Sequence, residues 1–321
     1  AAAREGDLAA DDHQALPGEV ARDRQVAVHD QDPGALRAAG DFAAFAAEQY
    51  PPILLEGLAP ALRAADSVLS SYGRRPLWVA EVNNDEATFL IAAARERGQE
   101  VIGFQHGGHS GYIDDHTGAV EYEYGFFDRF VSWGWDVMPD FEVCRGVPVS
   151  PLPSPWLGAR AHHWARALPE KDRDPRGKPY GFLFMSNKVY RFPPAPSGAA
   201  VARSDRLKEI AAYHEELAAA CAARKVRLLH KPYNEDAGRL TSGLLARRAR
   251  DYAPYYRRLE TADKGLHADQ LRECAMVLWD QPGTGFLECL AAGIPTLVFW
   301  PRHYNREEPR SRETFRRLEE A

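Results

Sequence analysis

Residues 101–135 read VIGFQHGGHSGYIDDHTGAVEYEYGFFDRFVSWGW. A short apolar run, Val101 to Phe104, breaks at Gln105-His106-Gly107-Gly108. Polar and ionisable side chains follow, and a second apolar run ends at Ser132-Trp133-Gly134-Trp135. Strand, glycine-rich loop crowded with functional groups, strand is how an α/β enzyme builds the rim of a cleft, because ligands sit beyond the carboxyl ends of the strands.

Working outward, Pro76 to Val82 (PLWVAEV) reads as a buried strand, Asn83-Asn84-Asp85 as a turn, and Glu86 to Arg97 as a helix stopped by Gly98. With the strand Val101 to Phe104 this is a βαβ unit, which predicts a parallel sheet with a right-handed crossover. Asn83, Asn84 and Asp85 then share an edge with Gln105 and His106. Arg129 to Ser132 is a third strand. Upstream, Ile53 to Tyr72 has helical spacing with Gly73 as its C-cap. Residues 1–50 are expected to be a peripheral segment, with a short helix near Asp41 to Tyr50. Downstream of Asp136, Pro139, Pro148, Pro151, Pro153 and Pro155 argue against helix and central strand alike. That stretch, continued by Pro169 to Pro179, predicts an interdomain connection.

A second α/β pattern follows. Tyr180 to Met185 is a strand ending at Ser186-Asn187-Lys188. Asp205 to Arg224 is a helix with His214 in its apolar stripe. Val226 to Leu229 is a strand ending in His230-Lys231-Pro232. Leu244 to Leu259 and Leu266 to Cys274 read as helices, and Met276 to Trp279 as a strand ending at Asp280. The tight loop Gln281-Pro282-Gly283-Thr284-Gly285 leads into a helix from Phe286 to Ala292, stopped by Gly293. Thr296 to Trp300 is the last strand, and a charged helix starts near Glu307. The expected domains are therefore 51–150, a connection over 151–178, and 179–321.

Composition narrows the function classes. A net charge of -6 argues against a nucleic-acid binder that works by bulk electrostatics. Cys144, Cys221, Cys274 and Cys289 form no C-x-x-C pair, so neither a disulfide framework nor a zinc ribbon is expected. A reduced, cytoplasmic setting follows by default. No apolar run reaches the roughly 18 residues of a membrane helix, and no signal peptide is visible at Ala1. Docking on a membrane surface stays open.

For chemistry, a glycine loop entering a helix presents unpaired backbone N–H groups and a positive dipole end, which suits a phosphate. Gly283 and Gly285 would let a ligand approach the backbone. Thr284 could cap the helix or donate to an oxygen, and Glu288, one turn on, could hold two ribose hydroxyls. A capped helix with a solvated Glu288 is the competing reading. Lys231 and His230 could meet a phosphate, with Ser186 and Lys188 as further donors; a plain strand end is the alternative. In the first half, His106 is the acid–base candidate because histidine titrates near neutral pH. Asp85 and Glu81 are carboxylates beside it, although Asp85 equally suits an N-cap. Glu121 and Glu123 follow the glycine loop. His106, His109, Asp114, Asp115 and His116 fit no standard zinc spacing, and no metal is expected. Trp133 and Trp135 are either a stacking platform for a sugar or core.

Two separated pieces resemble a known family. QHGG followed by FDRFVSWGW, and WDQPGTGFLECLAAGIPTLVFW, look like the two signatures of transferases encoded in bacterial surface-polysaccharide clusters. More distantly, both are similar to GT-B glycosyltransferases, including bacterial transferases of Kdo and sialic-acid-like sugars. The resemblance spans about Trp78 to Tyr304. It implies two Rossmann-like, doubly wound domains facing across a cleft, with the nucleotide sugar (CMP- or NDP-linked) on the C-terminal one and a glycan or lipid-linked glycan acceptor on the N-terminal one. It implies no bound metal. Carried over to this chain, Thr284, Gly285 and Glu288 match the donor loop and ribose helix, and His230 with Lys231 stands where a His-Pro element would lie. Lys231 between His230 and Pro232 departs from that element, and the long C-terminal helix that often crosses back in this fold is missing from the pattern. The expected activity is glycosyl transfer to a surface glycan at the inner face of the membrane, with His106, Asp85 and Glu123 on the catalytic side. A nucleotide-sugar epimerase or hydrolase, and a non-catalytic carbohydrate-binding subunit, are the alternatives.

Overall fold

The structure is a computed structural model, and it describes residues 57–82, 84–113, 123–139, 142–187, 206–233, 249–259, 265–301 and 306–320. The chain divides into two units, 1–59 and 60–321, and almost all of the first lies outside the described residues. So do the helix expected near Asp41 to Tyr50 and the candidates Asn83, Asp114, Asp115, His116, Glu121 and Lys188.

Helix α1 (Leu58–Tyr72) buries Ala65 and Leu69, and Gly73 closes it in the left-handed region at φ 80°. Strand β1 (Leu77–Val79), helix α2 (Asp85–Glu96), strand β2 (Val101–Phe104), strand β3 (Arg129–Ser132) and strand β4 (Val149–Pro151) follow. The four strands form one all-parallel sheet in the order β1-β2-β3-β4. Its core is Val101, Ile102, Phe130 and Val131 from the strands with Phe89, Ile91 and Ala94 from α2.

The proline-dense stretch is more ordered than its composition predicts. Strand β4 survives because it is an edge, where Pro151 interrupts no ladder. Helix α3 (Pro155–Ala167) survives because Pro155 occupies its first turn, where the missing N–H was unpaired anyway. Ser154 caps it by accepting from the Leu157 N–H at 3.1 Å. The segment expected to be a plain connection therefore carries core: Trp164 and Leu168 are buried together with Leu183, Leu229, Val277 and Cys289.

After the short helix α4 (Glu170–Arg173) come strand β5 (Tyr180–Met185), helix α5 (Arg206–Ala223), strand β6 (Leu228–Lys231), helix α6 (Ala249–Tyr252), strand β7 (Tyr256–Arg258), helix α7 (Ala268–Glu273), strand β8 (Cys274–Trp279), helix α8 (Thr284–Ala292) and strand β9 (Thr296–Val298). The five strands are all parallel, in the order β7-β6-β5-β8-β9. The near-continuous apolar run of β5 follows from burial on both faces. Leu183 and Met185 pack on α3, α7 and α8, while Phe182 and Phe184 pack on α5.

Two expected elements change. The helix expected over Leu244 to Leu259 is only α6 within its described part, followed by β7, because Pro254 stops helical propagation. Strand β6 runs two residues past Leu229, so His230 and Lys231 are ladder residues rather than strand-end residues. The last described helix is short, and the segment before it reaches the loops after the second and third strands of the first sheet. Glu307 bridges Ile113, the Glu308 N–H donates to the Tyr112 carbonyl at 2.9 Å, and Arg310 donates to the Val137 carbonyl at 2.8 Å. Helix α9 (Arg312–Glu319) then buries Phe315 against Trp300.

Candidate functional site

Three loops meet at the carboxyl edges of the two sheets. The loop after β2 begins with Gln105, which is buried. Its Nε2 donates to the Gly107 carbonyl at 2.6 Å and the Ser110 carbonyl at 3.4 Å. Its Oε1 accepts from the Trp133 N–H at 2.6 Å and the Trp135 Nε1–H at 2.8 Å. One side-chain amide thus ties the glycine loop to the loop after β3. The tryptophans are mostly structural. Trp135 packs on Phe130 and Tyr124, and Trp133 stacks on the half-exposed Trp156 of α3 with nearly parallel rings.

His106 lies beyond that knot, 31 % exposed, with its Nε2 3.4 Å from Glu123 Oε1. Glu123 is 12 % exposed. The hydrogen bond to Glu123 raises the His106 pKa above its ordinary 6.5 against the opposing effect of burial, and the charges of Glu123 and Glu81 add to the rise. The protonated pair therefore adds stability that is complete below pH 6.5 and fades as pH rises through the raised value. Asp85 does not join this pair. It is exposed in the first turn of α2, where its charge complements the dipole. Asn84 supplies the cap expected of Asp85, accepting from the Ala87 N–H at 2.8 Å.

The glycine loop touches the far sheet directly. The Gly108 N–H donates to Thr284 Oγ1 at 2.9 Å, and a Cβ on Gly108 would lie 2.9 Å from Thr284 Cα. Thr284 is thus the first residue of α8 and holds the opposite loop, while Gly283 stands at the N-cap. Gly285 has a packing reason that the sequence hid. A Cβ there would sit 2.1 Å from the Trp279 ring. Gly285→Ala is expected to cost about 1–3 kcal/mol through displacement of Trp279, read as a lowered thermal midpoint with Trp279 fluorescence altered. A Cβ at Gly283 would make ordinary van der Waals contact with Gln281, at 3.4 Å or more, so this position tolerates a side chain better than Gly285.

The other expected ligand groups of the second sheet face inward. Glu288 accepts from Arg160 Nε at 2.6 Å and from Trp164 Nε1 at 2.5 Å, so its carboxylate pins α3 to α8 rather than lying open to a ribose. Lys231 is buried, and its Nζ donates to the Gly265 carbonyl at 2.7 Å and to Gln270 Oε1 at 3.2 Å. It braces the segment before α7 instead of presenting a charge at the rim. His230 is buried on the opposite face of β6, bonded to Ser186 Oγ at 2.9 Å and Tyr256 Oη at 2.7 Å. Burial holds its pKa well below 6.5, with the nearby His214 and Arg258 acting in the same direction, so the ring is neutral.

Ser186 is also buried, and it lies at the carboxyl end of β5. Strand order places it next to Asp280, because β5 and β8 are neighbours and Met185 pairs with Trp279. From β5 the chain goes outward in one direction to β6 and β7, and later in the other to β8 and β9. That reversal between β5 and β8 is the topological switch point, where open parallel sheets bind ligands. Asp280 is fully buried there. Its Oδ1 accepts from the Asn187 N–H at 2.7 Å, and its Oδ2 lies 3.1 Å from both Tyr213 Oη and His214 Nε2. Asp280 and Tyr213 carried no expected role. A carboxylate directly after a buried strand, and a histidine within the apolar stripe of α5, were the available signals. Among the described residues no His, Cys, Asp and Glu side chains gather in a group of three that could hold a metal, and no helix is long and apolar enough to cross a membrane.

A family model described as LIC12162 family transferase matches residues 39–321. No curated protein matches the chain.

Proposed function

The chain belongs to the LIC12162 family of transferases, and on that premise we propose that it moves a sugar from a nucleotide-sugar donor to a surface-glycan acceptor. One observation carries this reading. Two parallel sheets bring their carboxyl-edge loops into contact at Gly108 and Thr284, one loop holding the His106–Glu123 pair and the other lying beside a switch point. This arrangement supports a GT-B-like enzyme with an acceptor side at the first sheet and a donor side at the second.

On the donor side, Ser186 and the start of α8 at Gly283, Thr284 and Gly285 meet the phosphates. Backbone N–H groups and the positive helix end stabilise charge as it develops on the leaving phosphate. Lys188 is a further donor in the same reading. His230, Lys231 and Glu288 act one step back by holding Ser186, the segment before α7, and α8. On the acceptor side, Nε2 of His106 faces Glu123, which leaves Nδ1 to take the proton of the acceptor hydroxyl. Asp85 is the less favoured base because it lies exposed at the start of α2. The reaction needs no metal in this reading, so turnover is expected to survive a chelator. The work is done at the inner face of the membrane, where such acceptors are built.

The test is turnover of CMP-, UDP- and GDP-linked sugars with glycan acceptors. His106→Ala is expected to lower transfer on the order of a hundredfold, while nucleotide binding measured by calorimetry is retained. A chain that neither binds any of these nucleotides nor consumes their sugars would overturn the reading. The pH profile is a second check. If His106 must be neutral to act, kcat/KM rises with pH to a midpoint above 6.5. Glu123→Gln removes the main cause of the raised pKa, so the midpoint should move down. An unmoved midpoint would remove Glu123 from the mechanism.

A further inference from the structure

The second sheet carries a polar chain that neither the fold nor the expected chemistry explains. It runs from Tyr256 on β7 through His230 on β6 to Ser186 at the end of β5, with bonds of 2.7 and 2.9 Å. His230 is wholly buried and touches the ring of Phe184. Each ring nitrogen of His230 has one hydrogen-bond partner, so the neutral ring is satisfied in its buried place. The tautomer of that ring decides what Ser186 can offer.

There are two arrangements. In one, Nδ1–H donates to Tyr256 and Nε2 accepts the Ser186 hydroxyl hydrogen, leaving Ser186 with lone pairs only. In the other, the Tyr256 O–H donates to Nδ1, Nε2–H donates to Ser186 Oγ, and the Ser186 hydrogen is free. A phenol is the better donor and the poorer acceptor of the two hydroxyls, which favours the second. Burial pushes the Tyr256 pKa up to about 12, so the phenol keeps its proton.

We propose that Tyr256 and His230 form a proton-orienting relay that fixes Ser186 as a hydrogen-bond donor, aimed at an anionic oxygen of the class a nucleotide phosphate provides. The location agrees with this. Ser186 lies buried at the switch point beside the backbone of Asn187, and His230 is its hydroxyl's partner among the described residues, so a ligand oxygen would reach it only by entering that edge. Asp280 fixes that backbone from the other side through the Asn187 N–H. Tyr256 and His230 are positioning residues: they touch no ligand and act only through Ser186. The phosphate part of the proposal rests on the donor-site reading above, and the relay itself does not.

Two measurements separate these layers. The first uses the full chain labelled with 15N-histidine, with the His230 signals assigned by their loss in His230→Asn. The relay requires Nδ1 to resonate as an unprotonated ring nitrogen and Nε2 as a protonated one; the reverse pattern overturns it. The second titrates CMP and UDP into wild type, Tyr256→Phe, Ser186→Ala and the double variant by calorimetry. Each single change is expected to weaken binding on the order of tenfold, and the double change no more than either alone. Additive losses, or an unchanged Tyr256→Phe, would overturn the relay. Absence of binding to wild type would overturn the donor-site reading, and the nitrogen pattern would then still decide the relay. Circular dichroism of each variant identifies a loss that comes from unfolding, and the wild-type spectrum does not depend on any variant folding.

Discussion

Replacing Asp280 by alanine is expected to cost about 4 kcal/mol of folding stability, because several buried hydrogen-bonding groups lose their shared acceptor at once. The carboxylate is wholly enclosed, and three groups from two elements converge on it: the Asn187 N–H, the Tyr213 hydroxyl and His214 Nε2. Alanine leaves the N–H, the Tyr213 hydroxyl and the imidazole without their shared acceptor. The other imidazole nitrogen, Nδ1, already lacks a hydrogen-bond partner, so this histidine has little to fall back on. Urea unfolding is the measurement, with the midpoint falling at unchanged slope. Asp280→Asn keeps the shape and one acceptor oxygen, and should lose less than half as much. A loss below about 1 kcal/mol for alanine would mean the site is hydrated and the carboxylate is not a structural anchor. Because Asp280 also fixes Asn187, next to Ser186, the proposed donor site predicts that Asp280→Asn weakens nucleotide binding as well.

Gln105→Ala is expected to cost about 3 kcal/mol, because one amide serves four backbone and side-chain groups and each buried group left unpaired carries a desolvation penalty. The loss should appear in the same unfolding experiment, with Trp135 fluorescence shifted as its ring nitrogen loses its acceptor. Gln105→Glu gives a sharper test. Its carboxylate could still accept from Trp133 and Trp135, but its second oxygen would face the Gly107 carbonyl at the 2.6 Å now spanned by an N–H donor. That geometry favours the protonated acid, so the folded pKa of the new group is raised. The variant is therefore most stable at acid pH and loses stability as pH climbs toward that folded value. A pH-independent deficit would argue that the loop rearranges instead of keeping the knot.

The two predictions fall on residues of opposite legibility. Gln105 stood out in the sequence as the first member of a conspicuous motif, but His106 attracted the chemical reading. The structure divides the motif by burial: Gln105 builds the loop, His106 remains half-open beside Glu123, and Gly108 meets Thr284. Asp280 followed a strand whose end was placed correctly, yet nothing local distinguished it from a turn aspartate. Its importance comes from β5 and β8 being neighbours although nearly ninety residues separate them in the chain.

The same contrast runs through the whole protein. Parallel α/β architecture was legible because apolar runs, helical spacing and glycine stops are local signals, and β2, β3 and β5 begin and end where those signals place them. The proline-rich stretch and Pro254 misled for a related reason: proline's effect depends on whether a position is an edge, a first turn or an interior, which spacing alone does not report. Lys231 and Glu288 read as free charges because their partners, Gly265 and Gln270 for one, Arg160 and Trp164 for the other, lie on separate elements. The sequence by itself determined the parallel α/β pattern and most of its elements, and it named candidates for the chemistry. Only the tertiary structure decided which of those groups remain at an edge and which are consumed as anchors, because desolvation and pairing depend on neighbours that folding brings together.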